Sequence, residues 1–347
     1  MRWLIAGLAA LTIASSAQGA PLRASDLVTT QAVLHWVSLY QNAPDPSAVP
    51  KVMIGLSKLG AFHDTEHCGV YAGFLAGVLA TNPGQAEMLI ARSLAMAPDD
   101  RWIVVRAIAD SGLPNWRQLL RGVSDRIPSR QEMIDRYLSG RLPRLAQFVI
   151  PPDPSMMDRM RKGLRLDKVL GAPKKPISLA PSADVLDLLW GYYFATGSYG
   201  PVTHLVALLA WSGDHNDAER LAIGSMAKYT LATNAVHDRA LLAMLKQSQK
   251  ARGQPKEVEK PLNEVIEAAE TVNTGPVREQ ALAAVNDVRT KGPEYKRTVS
   301  WWSYMGQTAI AGGCIAAATM GAVALGLPCV VGGATSSAVM NFIANSP

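Results

Sequence analysis

At 347 residues the chain is long enough for one large or two medium domains with a sizeable core. Hydrophobic residues make up 48% and charged residues 18%, with 28 Gly and 22 Pro, which excludes disordered, collagen-like and low-complexity chains. Three Cys exclude a disulfide-dense scaffold, and a diffuse net charge of +6 does not make a nucleic-acid surface.

The first element is an address. Arg2 supplies one positive charge, Trp3 to Ala14 runs without a charge, and Ser15 to Ala20 is small and polar. This is the order of a secretory signal peptide, with Ala17 and Gly19 as the small residues before a cut after Gly19. The apolar run falls short of the ~20 residues that span a bilayer. Residues 1–19 are therefore expected to be a leader, and the body to be exported to a bacterial periplasm or the exterior. Thiols there meet an oxidising environment. Cys314 and Cys329 can form a disulfide across a helical turn, leaving Cys68 either buried and inert or paired with a partner.

Residues 20–150 form a first helical block. Apolar residues three and four apart predict helices over Gln31–Gln41, Glu66–Leu79, Gln85–Met96, Asp100–Asp110, Trp116–Val123 and Arg130–Ser139, with Gly or Pro at the breaks. Gln147–Ile150 is strand-like but runs into Pro151 and Pro152. Short helices joined by short turns make helical hairpins, so the fold class is all-α. Residues 151–181 are a Pro-rich basic linker, marked by Pro151, Pro152, Pro154, Pro173, Pro176 and Pro181, none of which can continue a helix. Within it Ser155–Leu170 is read as a basic amphipathic helix. Met156, Met157, Met160 and Leu164 form its apolar stripe, and Arg159, Arg161, Lys162, Arg165 and Lys168 offer contacts to lipid or an acidic partner. The competing reading is a Met-lined packing face with a solvated outer side.

A second helical block covers 182–297, with Ser182 or Asp184 as its cap and a break at Asn273-Thr274-Gly275-Pro276. Asp217 is a natural cap for a helix starting at Ala218. Leu186, Leu189, Tyr193, Gly197 and Tyr199 stand at offsets that resemble the first helix and turn of a tetratricopeptide repeat. Ala86 and Pro98 look like the Ala and closing Pro of the second helix of such a unit. The likeness covers about two units; Leu186 stands where that family has Trp, and Val202 where it has a small residue. It implies an irregular helical-hairpin solenoid or bundle, with a grooved surface that binds proteins or peptides. Tyr193 and Tyr199 are the candidate partner surface.

One pattern carries catalytic chemistry. His63-Asp64-Thr65-Glu66-His67 reads H-x-x-E-H, which resembles the inverted zinc motif of pitrilysin-like peptidases. The resemblance implies His63 and His67 as Zn ligands and Glu66 as the catalytic base. That family needs a further Glu downstream, and no Glu occurs between Glu132 and Glu219. Asp64 also reads as a helix N-cap, which would leave His63 outside the helix and dissolve the shared face. The favoured expectation is no cofactor, with Zn as the alternative.

The chain closes on the tail 298–347, which holds no Asp, Glu, Lys or Arg. Gly306–Leu327 is long enough to span a bilayer, and Pro328 separates it from a shorter apolar run. The tail reads as a membrane hairpin or anchor, or as a hairpin buried in a soluble fold. Lys291, Lys296 and Arg297 would flank a single anchor on its exported side, against the positive-inside preference. Gly313, Ala317 and Gly321 repeat every fourth residue and suit self-association. The expected function is an exported non-catalytic scaffold for a protein or peptide partner, with no nucleic acid and with a membrane contact through the tail. The alternatives are a zinc-dependent hydrolase and a membrane-inserting protein.

Overall fold

The computed structural model describes residues 29–63, 68–151 and 177–284, and among these the chain is all-α. The first block holds α1 (Thr30–Leu39), α2 (Val49–Lys58), α3 (Gly69–Thr81), α4 (Ala86–Ser93), α5 (Trp102–Asp110), α6 (Trp116–Ser124) and α7 (Gln131–Leu138). The second holds α8 (Ala183–Thr196), α9 (Tyr199–Leu208), α10 (Ala218–His237), α11 (Arg239–Lys250), α12 (Lys256–Glu270) and a last helix, α13, over 275–284. The strand-like pull of 147–150 survives as a single parallel bridge, in which Leu179 donates to the Gln147 carbonyl and Val149 to the Leu179 carbonyl.

Side-chain caps set several helix starts. Thr29 accepts the amide of Ala32 at 3.1 Å, Ser182 that of Val185 at 3.2 Å, and Asp238 that of Leu241 at 3.0 Å. The helix α2 is absent from the sequence-based expectation. Asp45 organises its approach by accepting from the amides of Ser47 and Ala48, and Pro50 sits in the first turn, where its missing N–H leaves nothing unpaired. The helix expected from Glu66 starts instead at Gly69, with Cys68 at its N-cap.

Two helices have no solvent face. Eleven of the thirteen residues of α3 and eleven of the fourteen of α8 are buried, the mark of core helices without an amphipathic stripe. They run together backbone to backbone. Gly69, Gly73 and Gly77 lie one turn apart along α3, and a Cβ added to Gly73 would stand 2.0 Å from the Leu188 carbonyl oxygen of α8. From the other side, a Cβ on Gly191 would stand 2.0 Å from the Val70 carbonyl oxygen. Only hydrogen fits at these positions, and the missing side chains bring the two helix axes close.

The remaining helices wrap this pair. Trp36 of α1 and Tyr40 just past its end meet Phe74 of α3 edge to face, with centroids 5.6 and 4.9 Å away. On α8, Trp190 stacks on Phe194, and its indole N–H donates to Thr230 of α10 at 3.0 Å. The hairpin α8–α9 turns on Gly197, whose φ of +61° is the left-handed value that glycine adopts without strain. Beneath that turn, Asp238 accepts from both Tyr193 Oη at 2.7 Å and Gln41 Nε2 at 2.9 Å, joining three separate stretches of chain.

Candidate functional site

A cleft of about 1360 Å³ opens in the second block. One wall is the 3-10 turn Leu209–Gly213 with the loop to Asp217; the others come from α10, α12 and α13, with Ile150 and Pro151 at the rim. The loop is built from short polar residues that bond their own backbone. Asp214 accepts from the amide of Asn216, and Asp217 accepts from that of Arg220 and so caps α10. The guanidinium of Arg220 then lies 4.9 Å over the Trp211 ring, 3.7 Å from Asp214 and 4.0 Å from Asp217. Deeper in, Lys228 is only 6% exposed and bonds Glu264 and Gln280, so its charge is paired where water is scarce. Lys256, Lys260 and Glu257 line the outer part. The surface offers charges of both signs beside an indole and aliphatic stems.

A smaller pocket of about 390 Å³ lies between α5 and α7. Trp102, Arg106 and Asp110 repeat every fourth residue along one side of α5, and Met133 and Tyr137 answer from α7. Arg106 grips both oxygens of Asp184 at 3.1 and 2.6 Å and stands 3.6 Å from Asp110. Asp110 also accepts the Leu145 amide at 2.7 Å. Burial pushes the Asp110 carboxyl up to about 6, against the opposing pull of Arg106 and the Leu145 amide. Burial alone would discourage the Arg106 charge, but Asp184 and Asp110 hold it and raise its pKa. Tyr137 is raised too, first by burial and then by the Asp110 charge.

Only some of the residues expected to act lie among the described ones. His63 is exposed in the turn after α2, while Glu66 and His67 lie outside the described residues. Among the described residues no three His, Cys, Asp or Glu side chains gather to hold a metal ion. Tyr199 is 37% exposed and its hydroxyl meets Ser248, but Tyr193 is fully buried, so the pair does not share an open surface. Tyr193 faces the core because it lies on α8, which is enclosed on all sides, and burial followed by its bond to Asp238 raises its pKa. Cys68 is buried, and its thiol donates to the Ala61 carbonyl at 3.2 Å. The basic helix with Arg159, Arg161, Lys162, Arg165 and Lys168 lies outside the described residues, as do Cys314, Cys329, Gly313, Ala317 and Gly321. No helix among the described residues is long and apolar enough to cross a membrane.

Sequence reasoning overlooked Arg106, Asp110, Tyr137 and Asp184. The signal was Arg106 and Asp110 spaced i, i+4 on an otherwise apolar helix, a pattern that points to buried charges rather than a solvated face. Compared with protein-family models, with curated proteins and with solved structures, the chain matches none of them.

Proposed function

We propose that this chain is an exported, non-catalytic helical scaffold that grips a protein or peptide segment in the cleft between α10, α12 and α13. The observation that carries the reading is the lining of that cleft: Trp211 under Arg220, with Lys256, Lys260 and Glu257 around it. Indole and arginine are the side chains that dominate the energetics of protein recognition. At about 1360 Å³ the cleft exceeds the usual 300–1,000 Å³ of small-molecule sites and suits an extended segment of several residues. Its balanced charges favour a partner that carries both signs over a polyanion.

The architecture behind this scaffold is an irregular bundle in our reading. A repeat array stacks neighbours in chain order, whereas the closest packing here joins α3 to α8 across the whole first block. The α8–α9 hairpin, turning on Gly197, is the piece most like a tetratricopeptide unit. Export follows from the leader at 1–19, and membrane contact from the tail at 298–347.

The test is selection of a displayed random-peptide library against the full chain, followed by hydrogen exchange with the selected peptides. The expected peptides protect 209–221 and 256–284, and Arg220→Ala weakens them by about 1 kcal/mol or more. Failure to select any peptide, or protection confined to other segments, would refute the proposal.

A further inference from the structure

The pocket between α5 and α7 has a donor that the protein itself does not use. Arg106 is committed to Asp184 and Asp110, and Asp110 in turn to Arg106 and the Leu145 amide. Arg130, at the start of α7, is held by one bond from Nη2 to the Asp99 carbonyl at 2.6 Å. Its Nε is buried and has no hydrogen-bond partner. Tyr137 lines the same pocket and brings its hydroxyl to it. A buried donor left unmade costs about 1–3 kcal/mol, so the unpaired Arg130 donor, in a pocket that Tyr137 also lines, marks a place for something that accepts.

We propose that this pocket binds a small organic carboxylate with a compact apolar or aromatic body, its two oxygens taking the N–H of Arg130 and the O–H of Tyr137. The charge fits. Arg106 is matched by two carboxylates, whereas Arg130 forms no ion pair with a described residue and is the cation left for an incoming anion. The shape fits as well. Trp102 and Met133 offer an aromatic face and an adaptable thioether, and Leu142, Pro143 and Leu179 complete an apolar wall. A volume of about 390 Å³ lies at the small end of the range for ligand sites and admits one ring with a short acidic arm.

This site is separate from the peptide cleft, with which it shares no lining residue. It is tested with phenylacetate and its uncharged counterpart 2-phenylethanol, titrated into the full chain while the arginine Nε–H resonances are followed. Arg130→Gln identifies its own resonance by its disappearance. Phenylacetate is expected to move that resonance saturably and to bind about tenfold more tightly than the alcohol. Tyr137→Phe, which keeps the ring and its packing, is expected to weaken phenylacetate about fivefold and leave the alcohol unchanged. Calorimetric titration of Arg130→Gln should bring the acid down to the affinity of the alcohol. Equal binding of acid and alcohol would reduce the pocket to an apolar hole and overturn the proposal. So would acid binding that Arg130→Gln leaves intact, or no saturable shift up to about 10 mM, where affinity is too weak for a built site.

Discussion

Replacing Gly73 by Ala adds a single methyl group where the structure has no room for one. The new Cβ would stand 2.0 Å from the Leu188 carbonyl oxygen, whereas ordinary contact begins at 3.4 Å. That oxygen belongs to helix backbone and cannot swing aside, so α3 and α8 must part by roughly 1 Å, a gap at which close contacts lose up to about half of their attraction. Gly69 and Gly191 share the seam, with clearances of 2.1 and 2.0 Å, so the loss spreads along it. Overpacking a core costs about 1–3 kcal/mol and the opened seam adds to that, while Ala in place of Gly returns about 1 kcal/mol of helix propensity. The expected net loss is roughly 2–4 kcal/mol. Urea unfolding followed by far-ultraviolet circular dichroism measures it, with Gly122→Ala on α6 as the control. A Cβ on Gly122 meets nothing within 4 Å, so that variant should gain about 0.5–1 kcal/mol. If Gly73→Ala unfolds at the same or higher urea concentration than Gly122→Ala, the backbone-contact account of the core is wrong.

Three further outcomes are expected. Asp110 has its folded pKa raised from 3.8 to about 6, so the native state holds the proton more tightly than the unfolded chain and stability falls as pH rises through that window; at 1.36 kcal/mol per unit the drop is on the order of 3 kcal/mol. Asp110→Asn keeps an acceptor for the Leu145 amide and should flatten this slope in pH-dependent denaturation; an unchanged slope would show that another group carries it. Gly197→Ala should cost about 1–2 kcal/mol for its left-handed backbone, and more because its Cβ would stand 2.7 Å from Gln41 Oε1; thermal unfolding of the double variant with Gln41→Ala should recover only that second part. Lys228→Met leaves the Glu264 carboxylate with only the exposed Lys260, 3.9 Å away, and should lower stability by about 1–3 kcal/mol, with most of the loss regained on adding Glu264→Leu, as a double-mutant cycle in urea would register.

Local chemistry was legible in the sequence, and long-range pairing was not. The bounds of α1, α6 and α7 follow from periodicity and from the Gly and Pro that interrupt it, and Ser182 and Asp217 cap the helices that they precede. The helix α2 escaped even though its Pro50 stands in the first turn, where a proline is compatible with a helix. The glycines of α3 are visible as letters, but only the fold reveals that they meet α8, because the partner carbonyl of Leu188 is more than a hundred positions away. The same holds for the pockets. Arg106 and Asp110 are one helical turn apart and could have been flagged together, whereas Asp184 and Tyr137 join them only through packing. Tyr193 fits a repeat-like pattern and yet lies in the core, because a spacing rule cannot tell a packing tyrosine from an exposed one.

The glycine seam also dictates when this molecule can become itself. Residues 69–81 find their counterpart only at 183–196, so the chain must close a loop of about one hundred residues before its centre is dry. Such distant encounters are slow to form, and a fragment ending ahead of Ala183 would leave α3 greasy on every side with nothing to press against. Synthesis from the N-terminus thus yields a sticky half-product first. Completion of α8 is the event that turns it into a protein.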